Sequence, residues 1–182
     1  MTLSQLMTAD ELFASSKYKK HCELINGELR MMSPAGGQHG SITINIAVAL
    51  TVFIRQHNLG IALAAETGFL LTQNPDTVRA PDFAFIPATR IPAEGISPKF
   101  LTIIPALVVE VLSPNDHAIA ISEKIEDWLK FGVDQVWVVN PKLKNISIHT
   151  ADNNPAVLRE GDILNGGAIL PGFSHPVADI FR

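Results

Sequence analysis

Apolar and polar positions change period several times along this chain, and each change marks an element. Residues 106–111 are an apolar run broken only by the carboxylate of Glu110, and Ser113 and Pro114 end it, which predicts a strand. Residues 118–131 then read as a helix that closes at Gly132, and residues 135–139 return as a second apolar strand. A crossover of that length lets the two strands lie parallel. An isolated carboxylate inside so oily a run is too costly, so Glu110 has to be paired, metal-bound or solvated at the strand end.

The same reading extends in both directions. Thr8 and Glu11 have capping-box spacing and predict a short helix ending near Lys17, with Lys17, Lys19 and Lys20 as a solvated face. Asn26-Gly27 between residues 22–25 and 28–32 predicts a type I′ hairpin that puts Glu23 on a strand. Ile42, Ile46, Ala49, Leu50 and Phe53 recur at helical spacing, giving a helix over residues 40–58 that starts beside His39 and stops at Gly60. Residues 61–65 and 67–71 read as strands around Glu66, and residues 79–86 as one strand that carries Asp82 near its start. Residues 87–98 are a proline-punctuated loop, residues 146–149 alternate like an edge strand, and the apolar tail from Leu170 to Phe181 is expected to dock on the body.

Composition narrows the class. With 182 residues, 47% of them hydrophobic, the chain fits one domain spanning residues 1–182. Its single cysteine, Cys22, allows no internal disulfide and no zinc site built on several thiolates, which suits a reducing, cytoplasmic setting. The first ten residues lack the pattern of a signal peptide, and Thr43, Asn45 and Thr51 interrupt the longest apolar run, so no membrane span is expected. A net charge of −4 does not advertise nucleic-acid binding, although a local basic face or a divalent cation can neutralise phosphates on an acidic protein.

The candidate chemistry lies on neighbouring elements: Asp82 on one strand, Glu110 on the next and Lys124 on the helix that follows. Two carboxylates at adjacent strand ends make a hard-oxygen site suited to Mg²⁺ or Mn²⁺. An ammonium close by can orient or help deprotonate an attacking water, which completes a kit for metal-assisted phosphodiester hydrolysis. Each residue also has a plainer reading. Asp82 could be an exposed acid paired with Arg79, Glu110 a buried acid paired with Lys124 or Arg79, and Lys124 a solvated helix residue. His39 could be a cap, Glu23 a cross-strand partner of an exposed lysine, and Trp128 and Trp137 core.

Taken in order, Glu23-Leu24-Ile25-Asn26-Gly27-Glu28, Ser33-Pro34, His39, Val78-Arg79-Ala80-Pro81-Asp82, Val109-Glu110-Val111-Leu112-Ser113-Pro114, Lys124, Gly132-Val133, Val136-Trp137-Val138-Val139 and Leu170-Pro171-Gly172-Phe173 resemble the Uma-type restriction endonuclease family of the PD-(D/E)XK nuclease superfamily. The resemblance implies an α/β fold, a restriction-endonuclease-like mixed β-sheet flanked by helices. It further implies Asp82 and Glu110 as catalytic, metal-binding acids, the Val111 main-chain carbonyl as a further ligand, Lys124 as the matching catalytic lysine displaced onto the helix, and supporting roles for Glu23 and His39. The implied activity is Mg²⁺-dependent (or Mn²⁺-dependent) hydrolysis of DNA, and since a single domain of this size cannot easily cut both strands in one event, a homodimer is expected. This chain departs from the pattern at Leu112, where the superfamily has its lysine, and at Ala120, Trp128 and Asn26. The alternative is a catalytically silent binding or assembly module on the same fold, which the acidic charge, Leu112 and Ala120 favour.

Overall fold

A computed structural model describes residues 6–16, 22–114 and 116–182. The chain opens with helix α1 (Ala9–Ala14), then the hairpin strands β1 (Cys22–Ile25) and β2 (Glu28–Met31), and the long helix α2 (Gly37–Gln56). Strands β3 (Gly60–Ala64), β4 (Phe69–Thr72), β5 (Thr77–Arg79), β6 (Phe83–Pro87) and β7 (Leu107–Val111) lead to helix α3 (Ala118–Phe131). Strands β8 (Gln135–Asn140), β9 (Asn145–His149), β10 (Ala156–Arg159), β11 (Ile163–Asn165) and β12 (Ser174–Pro176) and helix α4 (Val177–Ile180) complete it.

A six-stranded sheet in the order β10-β9-β8-β7-β6-β3 forms the middle layer. β7 and β8 are parallel, as the crossover length requires, and the other neighbours are antiparallel. All five residues of β7 are buried, so the alternation of side chains across its faces decides what each one meets. Phe83, Phe85, Val109, Val111, Trp137 and Val139 pack with Ile42, Ile46, Leu50 and Ile54 of α2. Ala84, Ile86, Val108, Val136 and Val138 pack with Trp128, Ile121 and Ile125 of α3. The helices therefore cover opposite faces, and Glu110, two residues on from Val108, is delivered to the α3 side.

A second, four-stranded sheet runs β2-β1-β5-β4. Its hairpin turn is the predicted one, with Asn26 and Gly27 both at positive φ (50° and 77°). The capping box at Thr8 is also present, but α1 ends at Ala14, and the lysines at 17, 19 and 20 lie outside the described residues.

Several elements differ from their sequence reading. The single strand expected over residues 79–86 is two: β5 belongs to the small sheet and β6 to the large one, and the chain passes between them at Ala80-Pro81-Asp82, where Pro81 cannot donate to a ladder. The helix expected to stop at Gly60 stops at Gln56, and Asn58 at φ 51° turns the chain. Gly60 instead opens β3 in close contact with β6, where an added Cβ would fall 2.1 Å from the Ile86 carbonyl oxygen. β9 is interior rather than an edge, because β10 pairs along its outer side.

α2 proves to be a continuous 20-residue helix, long and apolar enough by length and composition to cross a membrane, contrary to the expectation from its interrupted run. Its Ile42, Ile46, Leu50 and Ile54 are buried against the sheet, while Ile44, Val48 and Val52 lie exposed on another face. The tail docks as expected, with Leu170, Phe173, Val177 and Ile180 buried in the α2-side core.

Candidate active site

Two interruptions of regular pairing build the site. β6 and β7 pair only as far as Phe83 opposite Val109, so the Val111 amide lies beyond the ladder, and the Asp82 carboxylate takes its place as acceptor at 2.7 Å. From the other side, His39 in the first turn of α2 brings Nε2 to 3.3 Å from the same Asp82 Oδ2, and its Nδ1 lies 3.4 Å from Thr43 Oγ1. Asp82 is thus not the partner of Arg79 that its neighbourhood in sequence suggested.

Glu110 meets α3. Lys124 and Trp128 sit one turn apart on that helix, and each takes one oxygen of the carboxylate: Lys124 Nζ lies 2.9 Å from Oε2, and Trp128 Nε1 donates to Oε1 at 2.9 Å. Lys124 is held a second time by Glu23, at 3.2 Å, and donates to the Ala80 carbonyl at 3.4 Å. Glu23, 4% exposed, faces no exposed lysine across its hairpin. It accepts from the Ala80 amide at 3.0 Å and from Arg79 Nη1 at 2.8 Å. Arg79 in turn donates from Nε and Nη2 to Asp127 Oδ2, at 3.0 and 2.6 Å. All five residues singled out in the sequence, with Arg79, line one cleft of about 850 Å³.

Burial and charge set the protonation of this cluster. Glu110 is pushed up to about 7, chiefly by burial, with Asp82 and Glu23 adding repulsion that Lys124 only partly offsets. Burial also works to raise Glu23, but Lys124 and Arg79 outweigh it and hold Glu23 below the usual range. For Lys124, burial opposes the charge and the carboxylates of Glu110 and Glu23 overcome it, so the ammonium is kept. His39 is raised, first by its hydrogen bond to Asp82, with the Val111 carbonyl as a further acceptor.

The donor set fits a hard divalent cation of modest demands. Among the described residues no three His, Cys, Asp or Glu side chains converge as a ready cage. A cation of the Mg²⁺ kind is bound through one or two carboxylates and keeps several waters, and Asp82, Glu110 and the Val111 carbonyl supply that smaller complement. Val111 lines the cleft together with Asp82 and Glu110.

Arg79, Asp127 and Trp128 belong to the cluster and were not singled out for it in the sequence. Asp127 and Trp128 follow Lys124 at the spacing of neighbours on one helical face, so the signal was present. Arg79 was legible as a possible partner of Asp82 or Glu110, but its partners, Glu23 and Asp127, come from remote elements.

Residues 9–178 match the model of the Uma2 family, described as "Putative restriction endonuclease". Among solved structures, the chain is similar to one from Anabaena variabilis described as a putative nuclease belonging to DUF820, at 20% identity and a TM-score of 0.83, over 96% of this chain and 97% of that one. That likeness shows the restriction-endonuclease-like arrangement of a mixed sheet between helices. No curated protein sequence matches the chain.

Proposed function

This chain belongs to the Uma2 restriction-endonuclease family, and from that premise we propose that it is a nuclease whose cleft hydrolyses DNA phosphodiester bonds with Mg²⁺ or Mn²⁺. The observation that carries the reading is the position of Lys124, 2.9 Å from Glu110 and 3.2 Å from Glu23 in the cleft that Asp82 also lines. A silent binding module would have no need to keep a half-buried ammonium between two buried carboxylates, since such ion pairs are seldom a gain in stability over apolar residues.

In this reading Asp82, Glu110 and the Val111 carbonyl would hold the cation. When bound, it supplies Lewis acidity toward a phosphate oxygen and an acidified water. Lys124 orients the attacking water and places its charge beside the phosphate as negative charge builds there. The water oxygen forms the new bond to phosphorus, one ester P–O bond breaks, and the departing oxygen takes up a proton. Glu23 keeps Lys124 in place through its own contacts to Arg79 and Ala80. His39 holds Asp82 in orientation. One such centre acts on one strand, so cutting a duplex in one event calls for a homodimer, and the single cysteine suits a reducing, cytoplasmic setting.

Nicking of a supercoiled plasmid tests this. Mg²⁺ or Mn²⁺ should support conversion to the open circle, and chelation should stop it. Absence of nicking with either ion over a range of protein concentration would favour the binding module.

A further inference from the structure

Trp128 is wholly buried, and its ring is locked edge-on against Phe69 at 5.6 Å between centroids and 82° between planes. Its one polar atom, Nε1, donates to Glu110 Oε1, whereas Lys124 takes Oε2 and stands at the cleft. The two oxygens of one carboxylate therefore have different neighbours. Oε1 is tied to a group fixed in the apolar core, and Oε2 to the Lys124 ammonium, which also contacts Glu23 and Ala80 at the cleft. Turning Oε1 toward the cleft would leave a buried indole N–H without an acceptor, which interiors rarely tolerate.

We propose that Trp128 sets the cation specificity of the site: by holding Oε1 of Glu110 toward the apolar core, it leaves Oε2 as the oxygen that carboxylate presents to a cation in the cleft. One-oxygen ligation suits small octahedral ions such as Mg²⁺ and Mn²⁺, whereas Ca²⁺ takes more oxygens and gains from carboxylates that bind through both. Trp128 is thus a positioning residue, acting on the cation through Glu110. The inference rests on the reading of Asp82 and Glu110 as cation ligands.

Trp128→Phe removes the donor and keeps an aromatic ring against Phe69. Calorimetric titration with Mg²⁺ and with Ca²⁺ should show the ratio of the two affinities moving toward Ca²⁺ by about tenfold, the scale of effect expected of a group that orients a ligand. Trp137→Phe, which removes the indole that donates to Gln135 instead, should leave the ratio unchanged. A wild-type ratio in Trp128→Phe overturns the proposal while leaving the ligand assignment standing. Failure of the wild type to bind either ion overturns both. Should Trp128→Phe not fold, the Trp137→Phe variant retains Trp128 as its sole indole. Its Nε1 proton should stay protected from solvent exchange at saturating Mg²⁺, and loss of that protection would contradict the proposal.

Discussion

Glu110 and Lys124 form an ion pair at 2.9 Å, between a fully buried strand and the helix that leaves it. Leu112, two residues after Glu110, occupies the place where the superfamily pattern has its lysine, and its side chain packs in the apolar cluster under α3. In the proposed reading the ammonium comes instead from the crossover helix, which is long enough to fold back over the strand end and is stopped cleanly by Gly132 in the left-handed region, φ 102°.

From this geometry, Lys124→Met should separate chemistry from cation capture. The substitution keeps most of the apolar stem and removes the charge, so the cation should still bind. Cleavage should fall by about two orders of magnitude, the loss expected for one positioned group. Cation affinity by calorimetry and nicking rate on the same preparation check it, and unchanged cleavage would return Lys124 to a structural role.

The position of Glu110, at about 7, makes cation binding depend on pH. A cation needs the ionised carboxylate, so affinity should rise by roughly tenfold per pH unit up to about pH 7 and level off above it. The sign for stability is the opposite. Because the folded value lies above the ordinary 4.5, protonation of Glu110 stabilises the metal-free fold below that value, and the contribution is lost as pH rises through about 7. The metal-free wild type should therefore lose more thermal stability than Glu110→Gln between about pH 5 and about pH 8. Parallel pH profiles for the two would contradict this.

Arg79 is 5% exposed and joins Glu23 to Asp127, so Arg79→Met should leave two carboxylates short of a partner. Breaking a buried pair from one side costs about 3–5 kcal/mol, and urea unfolding should show a loss of that order. Asp127→Asn, whose side chain is 30% exposed, should cost far less. Equal effects would mean that burial does not govern this network.

DNA affinity should be weak without a divalent cation and should fall only gently with salt in its presence. The cleft presents Glu23, Asp82 and Glu110, the chain carries net charge −4, and Arg79 and Lys124 are already engaged by carboxylates. Few local cations are then left to contact phosphates. Equilibrium binding of a duplex at several salt concentrations, with and without Mg²⁺, measures this, and tight binding independent of both would contradict it.

Most of the architecture was legible because local signals and tertiary needs agreed. The bounds of α3, the hairpin at Asn26-Gly27 and the parallel pair β7 and β8 follow from periodicity, turn chemistry and crossover length. The misreadings arose where the environment of a strand, not its sequence, decided the outcome. Residues 79 to 86 look like one strand until two different sheets claim its ends, and β9 looks like an edge until β10 pairs with it. In the site, Glu110 could be marked as a residue needing a partner from its apolar setting alone. That the partners would be Lys124 and Trp128 together, and that Arg79 would turn away from Asp82 toward Glu23 and Asp127, depends on contacts across 14 to 56 residues of chain that no local pattern encodes.

The central claim is that Asp82 and Glu110 together hold a divalent cation. Titrating Mn²⁺ into wild type and Asp82→Asn by calorimetry tests it most directly. Asp82→Asn removes the charge and one hard-oxygen donor while the remaining amide oxygen can still accept from the Val111 amide, so the fold should survive. The account predicts saturable binding of Mn²⁺ to the wild type and its loss in Asp82→Asn; equal binding by the two proteins would contradict it.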